Sequence, residues 1–176
     1  SSKLINKIPM LDLSHFLSEN LELKQKFVQD LGLAYQSIGF VAISNHGYTL
    51  ENQDELYDSI KGFYDLPEAI KLKYDGCHTG GQRGYTGKRK EHAAGRNVGD
   101  LKEFYHIGKA IVGSDSPHYQ ANIFPSEIPD FESRTLHAYS TLEQIGKNML
   151  GAIALFLDLE ETHFDKKVDR GISILR

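Results

Sequence analysis

The chain has 176 residues, of which 40% are apolar and 25% charged. That is enough apolar matter for a packed core and excludes a composition-driven disordered segment. A net charge of −4 argues against a dedicated nucleic-acid binder, which carries a basic excess over a whole face. The single cysteine, Cys77, rules out an internal disulfide and suits a reducing cytoplasm.

The longest strongly apolar stretch, Met149 to Leu157, is about half of the ~20 residues a membrane span needs. The N-terminus, Ser1 to Lys7, lacks the apolar run of a signal peptide. A soluble cytoplasmic protein without membrane or nucleic-acid partners is expected.

In chain order, Ile8-Pro9-Met10-Leu11-Asp12-Leu13 predicts a short opening strand, with Pro9 placing it near an edge. Leu23, Phe27, Leu31, Ala34 and Ile38 recur at spacings of three or four, one apolar stripe on a helix from about Ser18 to Gly39. Phe40 to Ile43 is a continuous apolar run, which suits a strand buried on both faces, closed by a turn at Asn45-His46-Gly47. A second helix is predicted over Thr49 to Tyr64, with Tyr57, Ile60 and Tyr64 on its apolar side. Asp65-Leu66-Pro67-Glu68 then reads as the cap and first turn of a short third helix.

Asp75 to Asp100 is rich in glycine and in Lys or Arg and poor in aliphatic side chains, so it predicts a long loop or irregular hairpin. Lys102 to Ile107 returns to strand character, and Pro129 to Leu159 predicts a long helix. That helix buries Phe131, Leu142, Ile145, Met149, Ile153 and Phe156, with Gly146 and Gly151 permitting close packing. The chain stops inside a strand, Ile172 to Arg176, which leaves the expectation of a domain cut short.

Taken in order, Ile8 to Leu13, Gly39-Phe40-Val41-Ala42-Ile43-Ser44-Asn45-His46-Gly47, Phe63-Tyr64-Asp65-Leu66-Pro67, Arg83-Gly84-Tyr85 and Asp100-Leu101-Lys102-Glu103-Phe104 form a recognisable series. It ends with Leu155 to Leu159 paired with Ser173-Ile174-Leu175-Arg176. The series resembles the N-terminal region of the isopenicillin N synthase-like oxygenases over nearly the whole chain. The resemblance implies an α+β fold: the N-terminal half of a double-stranded β-helix, or jelly roll, with flanking helices and a few sheet strands. Residues 1–176 would then be an incomplete domain whose iron-binding barrel half follows Arg176.

The resemblance further implies Fe(II) and, in most members, 2-oxoglutarate as cofactors, with O2 and a small organic molecule as substrates. The iron is held in this family by a His-x-Asp pair and a distal His, a facial triad with open positions. Those ligands belong after Arg176, so no catalytic or metal residue is assigned here. The contrasting reading is a non-catalytic binding or scaffold protein that keeps this architecture without iron.

Three residues are candidates for substrate contact. By resemblance, Arg83 matches an arginine that binds a substrate carboxylate in isopenicillin N synthase, and a guanidinium fork suits that task. Tyr85 would line the same pocket. Ser173 shares a strand face with Leu175, against Ile172, Ile174 and Arg176 on the other, and would line the cavity if its face turns inward.

Other motifs have blander readings. His163-Phe164-Asp165 has the metal-pair pattern, but the resemblance places a connector there. His46 reads as part of a turn, and His106 could face a cavity but has no partner motif. His78, His92, His118 and His137 lack ligand spacing. Asp100, Lys102 and Glu103 read as weak surface or strand-edge ion pairs. Gly80 to Lys88 lacks the glycine, hydroxyl and preceding strand of a phosphate-binding loop, and its glycines suit RNA backbone only against the acidic balance of the chain.

Overall fold

The computed structural model describes residues 7–88, 101–109, 119–169 and 171–176. The architecture is α+β, and the chain divides into two compact units. One comprises Ser1–Tyr48 and Thr141–Arg170, the other Thr49–Ser140 and Gly171–Arg176.

The first unit opens with β1 (Met10–Asp12), the single turn α1 (Leu13–Phe16), α2 (Leu21–Ser37) and β2 (Ala42–Ser44). β1 and β2 pair in parallel, with Leu11 opposite Ile43. α2 starts where Asn20 caps it, its Oδ1 accepting from the Glu22 and Leu23 amides. It ends at Gly39, which takes a φ of 82° after Ile38 and Gly39 both bond back to the Ala34 carbonyl. Leu13, Phe16, Phe27, Val28, Leu31 and Ala152 form the core, with Ile145, Met149, Ile153 and Phe156 of the long helix α5 (Phe131–Phe156) packed on it. Gly32 is the close-approach position: a Cβ there would lie 2.2 Å from the Phe156 ring.

Three expectations need correction in this unit. Phe40 is 68% exposed and precedes β2, because β2 pairs only with β1 among the described residues and is not sandwiched within a sheet. Leu142 of α5 is 46% exposed, and the small residues Ala152 and Ala154 are buried instead. A Cβ on Gly146 would meet nothing and one on Gly151 would make only ordinary contacts with Phe16 and Glu161, so close packing requires neither glycine.

The second unit contains α3 (Leu50–Tyr64), the turn α4 (Glu68–Lys71), β3 (Gly84–Thr86), β4 (Phe104–Gly108), the first part of α5 and β5 (Ile174–Leu175). Thr49 and Asn52 close a capping box at the head of α3. The buried side of α3 is Ser59 and Phe63, and Tyr57 is exposed. Asp65 ends α3 and pairs with Lys61 rather than capping α4, whose N-cap is Pro67.

β3, β4 and β5 form an antiparallel sheet in that order. Its registers set Tyr85 opposite Tyr105 and Ile107 opposite Leu175. The core here is aromatic. The Phe63 ring lies 5.6 Å from Tyr85, 4.8 Å from Tyr105 and 5.9 Å from Phe131, in tilted or edge-on contacts. Such pairs add roughly 0.5–1.5 kcal/mol each to the burial of the rings. Arg134 of α5 ties onto α3 by donating to Ser59 Oγ at 2.9 Å. No helix among the described residues is long and apolar enough to cross a membrane.

Candidate functional site: a cavity on the second sheet

The glycine-rich stretch folds back on itself before β3. Gly76 N donates to the Tyr85 carbonyl at 3.0 Å, and Gly81 N to the Gly76 carbonyl at 3.0 Å. Inside the turn, Thr79 Oγ1 donates to Gly76 O at 2.7 Å and accepts from Arg83 N at 3.0 Å. The glycines are structural requirements at two points. A Cβ on Gly76 would fall 1.7 Å from the Arg83 carbonyl oxygen. Gly84 has a φ of 75°, and its Cβ would meet the Tyr74 carbonyl oxygen at 2.5 Å.

The sheet separates the aromatic core from a cavity. Tyr85, Tyr105, Ile107 and Leu175 belong to the core. The alternate positions look the other way. There a cavity of about 470 Å³ is lined by Asp75, Cys77, Gly80, Gly81, Gln82, Thr86, His106, Ile174 and Arg176. His106 Nδ1 lies 2.6 Å from the Gly81 carbonyl oxygen, and its ring runs nearly parallel to that of Phe104, at 16°. The Arg176 guanidinium sits 3.5 Å from the centre of the Phe104 ring, a cation–π contact.

Behind the sheet lies a polar cluster centred on Glu103, which is not a weak surface ion pair. Glu103 Oε2 accepts from Lys71 Nζ at 2.7 Å and from the Tyr85 hydroxyl at 2.8 Å, and Lys88 Nζ stands 3.1 Å from Oε1. Burial opposes charge on Glu103, but the hydrogen bonds from Lys71, Tyr85 and Lys88 outweigh it and hold the carboxyl at about 2. Burial likewise opposes the Lys71 charge, and the Glu103 carboxylate raises it above the ordinary lysine value. Burial, and then the neighbouring Glu103 charge, pushes Tyr64 up to about 12.

Arg83 is buried, its guanidinium stacked against Gly108, where an added Cβ would lie 1.9 Å from Cζ. Nη1 donates to the Gln82 carbonyl at 2.7 Å, and Nε has no hydrogen-bond partner among the described residues. Burial lowers the Arg83 pKa. Tyr85 is fully buried, and its hydroxyl is engaged by Glu103. Ser173 is exposed beside β5, on the Leu175 side of the chain, and its carbonyl accepts from the Tyr139 hydroxyl at 3.0 Å. The structure thus brings Arg83 and Tyr85 to one strand start but lines the cavity with their neighbours Gln82 and Thr86. His106 and Arg176 also line it, and strand alternation was the sequence signal that could have found them.

The remaining histidines lie elsewhere. His46 closes the turn after β2, its Nδ1 accepting from the Tyr48 amide at 3.2 Å. His163-Phe164-Asp165 forms the turn that leads into α6 (Asp165–Val168), and His163 is exposed. His92, His118 and Asp100 lie outside the described residues. Among the described residues no group of three His, Cys, Asp or Glu side chains is placed to hold a metal ion.

Residues 8–130 match the family described as non-haem dioxygenase in morphine synthesis N-terminal, and the chain belongs to that family. The 2-oxoglutarate-Fe(II) type oxidoreductase hxnY of Emericella nidulans is 30% identical over 178 residues, covering 96% of this chain and 51% of that protein. A crystal structure of a 2OG-Fe(II) oxygenase family protein from Caulobacter crescentus superposes with a TM-score of 0.81 at 33% identity, over 95% of this chain and 54% of the other. A full-length Neurospora crassa protein, in complex with alpha-KG and 5-formyluracil, gives 0.78 at 25% identity, over 95% and 50%. The chain spans about half the length of the relatives it matches.

Proposed function

We propose that this chain is the N-terminal part of a non-haem Fe(II) oxygenase that oxidises a small organic substrate with O2, using 2-oxoglutarate as co-substrate. The match of residues 8–130 to the dioxygenase N-terminal family carries the reading. In this reading β3, β4 and β5 are strands of the jelly roll, and the iron-binding half lies beyond Arg176. In the same reading the residues around the cavity on the second sheet shape the substrate cavity and support it. The lone cysteine fits a cytoplasmic enzyme of this kind.

Arg83 is the substrate-binding candidate that the resemblance supplies, a buried cation next to the cavity-lining Gln82 whose Nε lacks a partner among the described residues. Tyr85 acts from behind, holding Glu103 and the strand that carries Arg83. Ser173 fixes β5 through its carbonyl, which sets the adjoining cavity residue Ile174.

The test uses the full-length protein with Fe(II), ascorbate and 2-oxoglutarate. Oxygen-dependent formation of succinate above an iron-free control is the expected result. Its absence over a broad substrate panel overturns the proposal. Arg83→Ala is expected to raise KM for the substrate at least tenfold, the loss of about 1.4 kcal/mol that a charge-assisted hydrogen bond readily supplies.

A further inference from the structure

We propose that His106 is a specificity-determining residue of this cavity, accepting a hydrogen bond from an N–H or O–H group on a small carboxylate or carbonyl substrate. The inference rests on the oxygenase reading for the fate of the ligand but not for its binding.

Gly81 fixes the tautomer of His106. A carbonyl oxygen can only accept, so the 2.6 Å contact requires that His106 Nδ1 carry the proton. In the neutral ring Nε2 is then a lone-pair acceptor that takes no part in the Gly81 contact. His106 is 7% exposed and lines the cavity, so a ligand seated there meets the ring edge that faces away from Gly81.

An acceptor in such a place discriminates strongly. A ligand with a donor replaces the water that Nε2 would otherwise hold, whereas a ligand without one displaces that water and leaves the nitrogen unpaired. The ring cannot turn away without losing the Gly81 bond, and Phe104 lies nearly parallel alongside it. The geometry is therefore fixed before the ligand arrives.

Arg176 supplies the other half of the recognition. Its guanidinium, seated on Phe104, brings a permanent cation to the same cavity wall. A carboxylate or carbonyl oxygen suits that end. The two together select a molecule with an oxygen acceptor at one end and a donor at the other.

Binding in the full-length protein tests this with matched probe pairs: 4-hydroxybenzoate against 4-methoxybenzoate, and thymine against 1,3-dimethylthymine. Calorimetry is expected to show the donor-bearing member of a pair bound about tenfold more tightly, with the preference gone in His106→Phe, which keeps a flat ring. A preference that survives in His106→Phe, or no binding by any donor-bearing probe, overturns the proposal.

A second measurement needs no variant. With 15N-labelled histidine, the His106 Nε2 resonance of the wild type is expected to move on adding a bound donor probe, and an unmoved resonance overturns the proposal. Succinate formation without any donor preference removes this inference and leaves the oxygenase reading standing. Donor preference without succinate formation does the reverse.

Discussion

At the scale of single residues, Glu103 carries the largest electrostatic contribution described here. Its folded pKa of about 2 lies below the ordinary 4.5, so its stabilisation is fully present above pH 4.5 and is lost as the pH falls toward 2. A difference of that size corresponds to roughly 3 kcal/mol. Chemical denaturation followed across that window should show stability falling steeply in the wild type and much less in Glu103→Gln. The variant should also be the less stable protein at neutral pH, because Lys71, 6% exposed, keeps only the longer pairing with Glu68. Gly108→Ala is a different kind of perturbation. Its Cβ would occupy the space of the Arg83 guanidinium, and a loss of about 1–3 kcal/mol in unfolding free energy is expected. The role of Glu103 was not legible in the sequence, because Lys71 stands 32 positions away and nothing local announces the pairing. A charged residue at a strand edge reads as surface until the fold supplies its partners.

At the scale of elements, local chemistry was informative wherever it closes a local hydrogen bond. Thr49 and Gly39 mark helix boundaries because caps and left-handed ends are decided within a few residues, whereas α2 is capped by Asn20, past the expected start near Ser18. Asn20→Ala should cost about 1 kcal/mol, read from the thermal midpoint. Face assignment within a helix was less legible. Tyr57 and Leu142 fit an apolar period yet lie exposed, since periodicity names a stripe without saying how far its edges are covered. β3 escaped notice for another reason. It has three residues, begins with a glycine, and owes its place to β4 across a long separation. Gly84→Ala should cost roughly 2–4 kcal/mol, because a left-handed backbone and the nearby Tyr74 carbonyl both oppose a side chain. A variant as stable as the wild type in urea would contradict that account.

At the scale of the whole molecule, the ordered motifs made the family legible, whereas the cavity depends on residues far apart in sequence. Thr86, His106 and Ile174 meet because three short strands align, which no single window of sequence contains. The two hydrophobic cores share no residue. Leu31→Ala should therefore speed amide exchange first within Ser1–Tyr48 and Thr141–Arg170, and Phe63→Ala first within the other unit. Each truncation is expected to cost about 3–5 kcal/mol, and equal acceleration throughout the chain would refute the pattern.

The braced turn between Gly76 and Tyr85 bears on how such a protein can be diversified. Its glycines look like the makings of a pliable loop, yet Gly76, Thr79, Gly81 and Arg83 are cross-linked by backbone and hydroxyl bonds. Insertions or deletions there would dismantle the cavity wall instead of reshaping it. The cavity is more readily reshaped through exchange of the side chains that the turn and its neighbouring strand present, Gln82, Thr86 and His106, at constant loop length. A library built that way should retain far more folded members than one that varies the length.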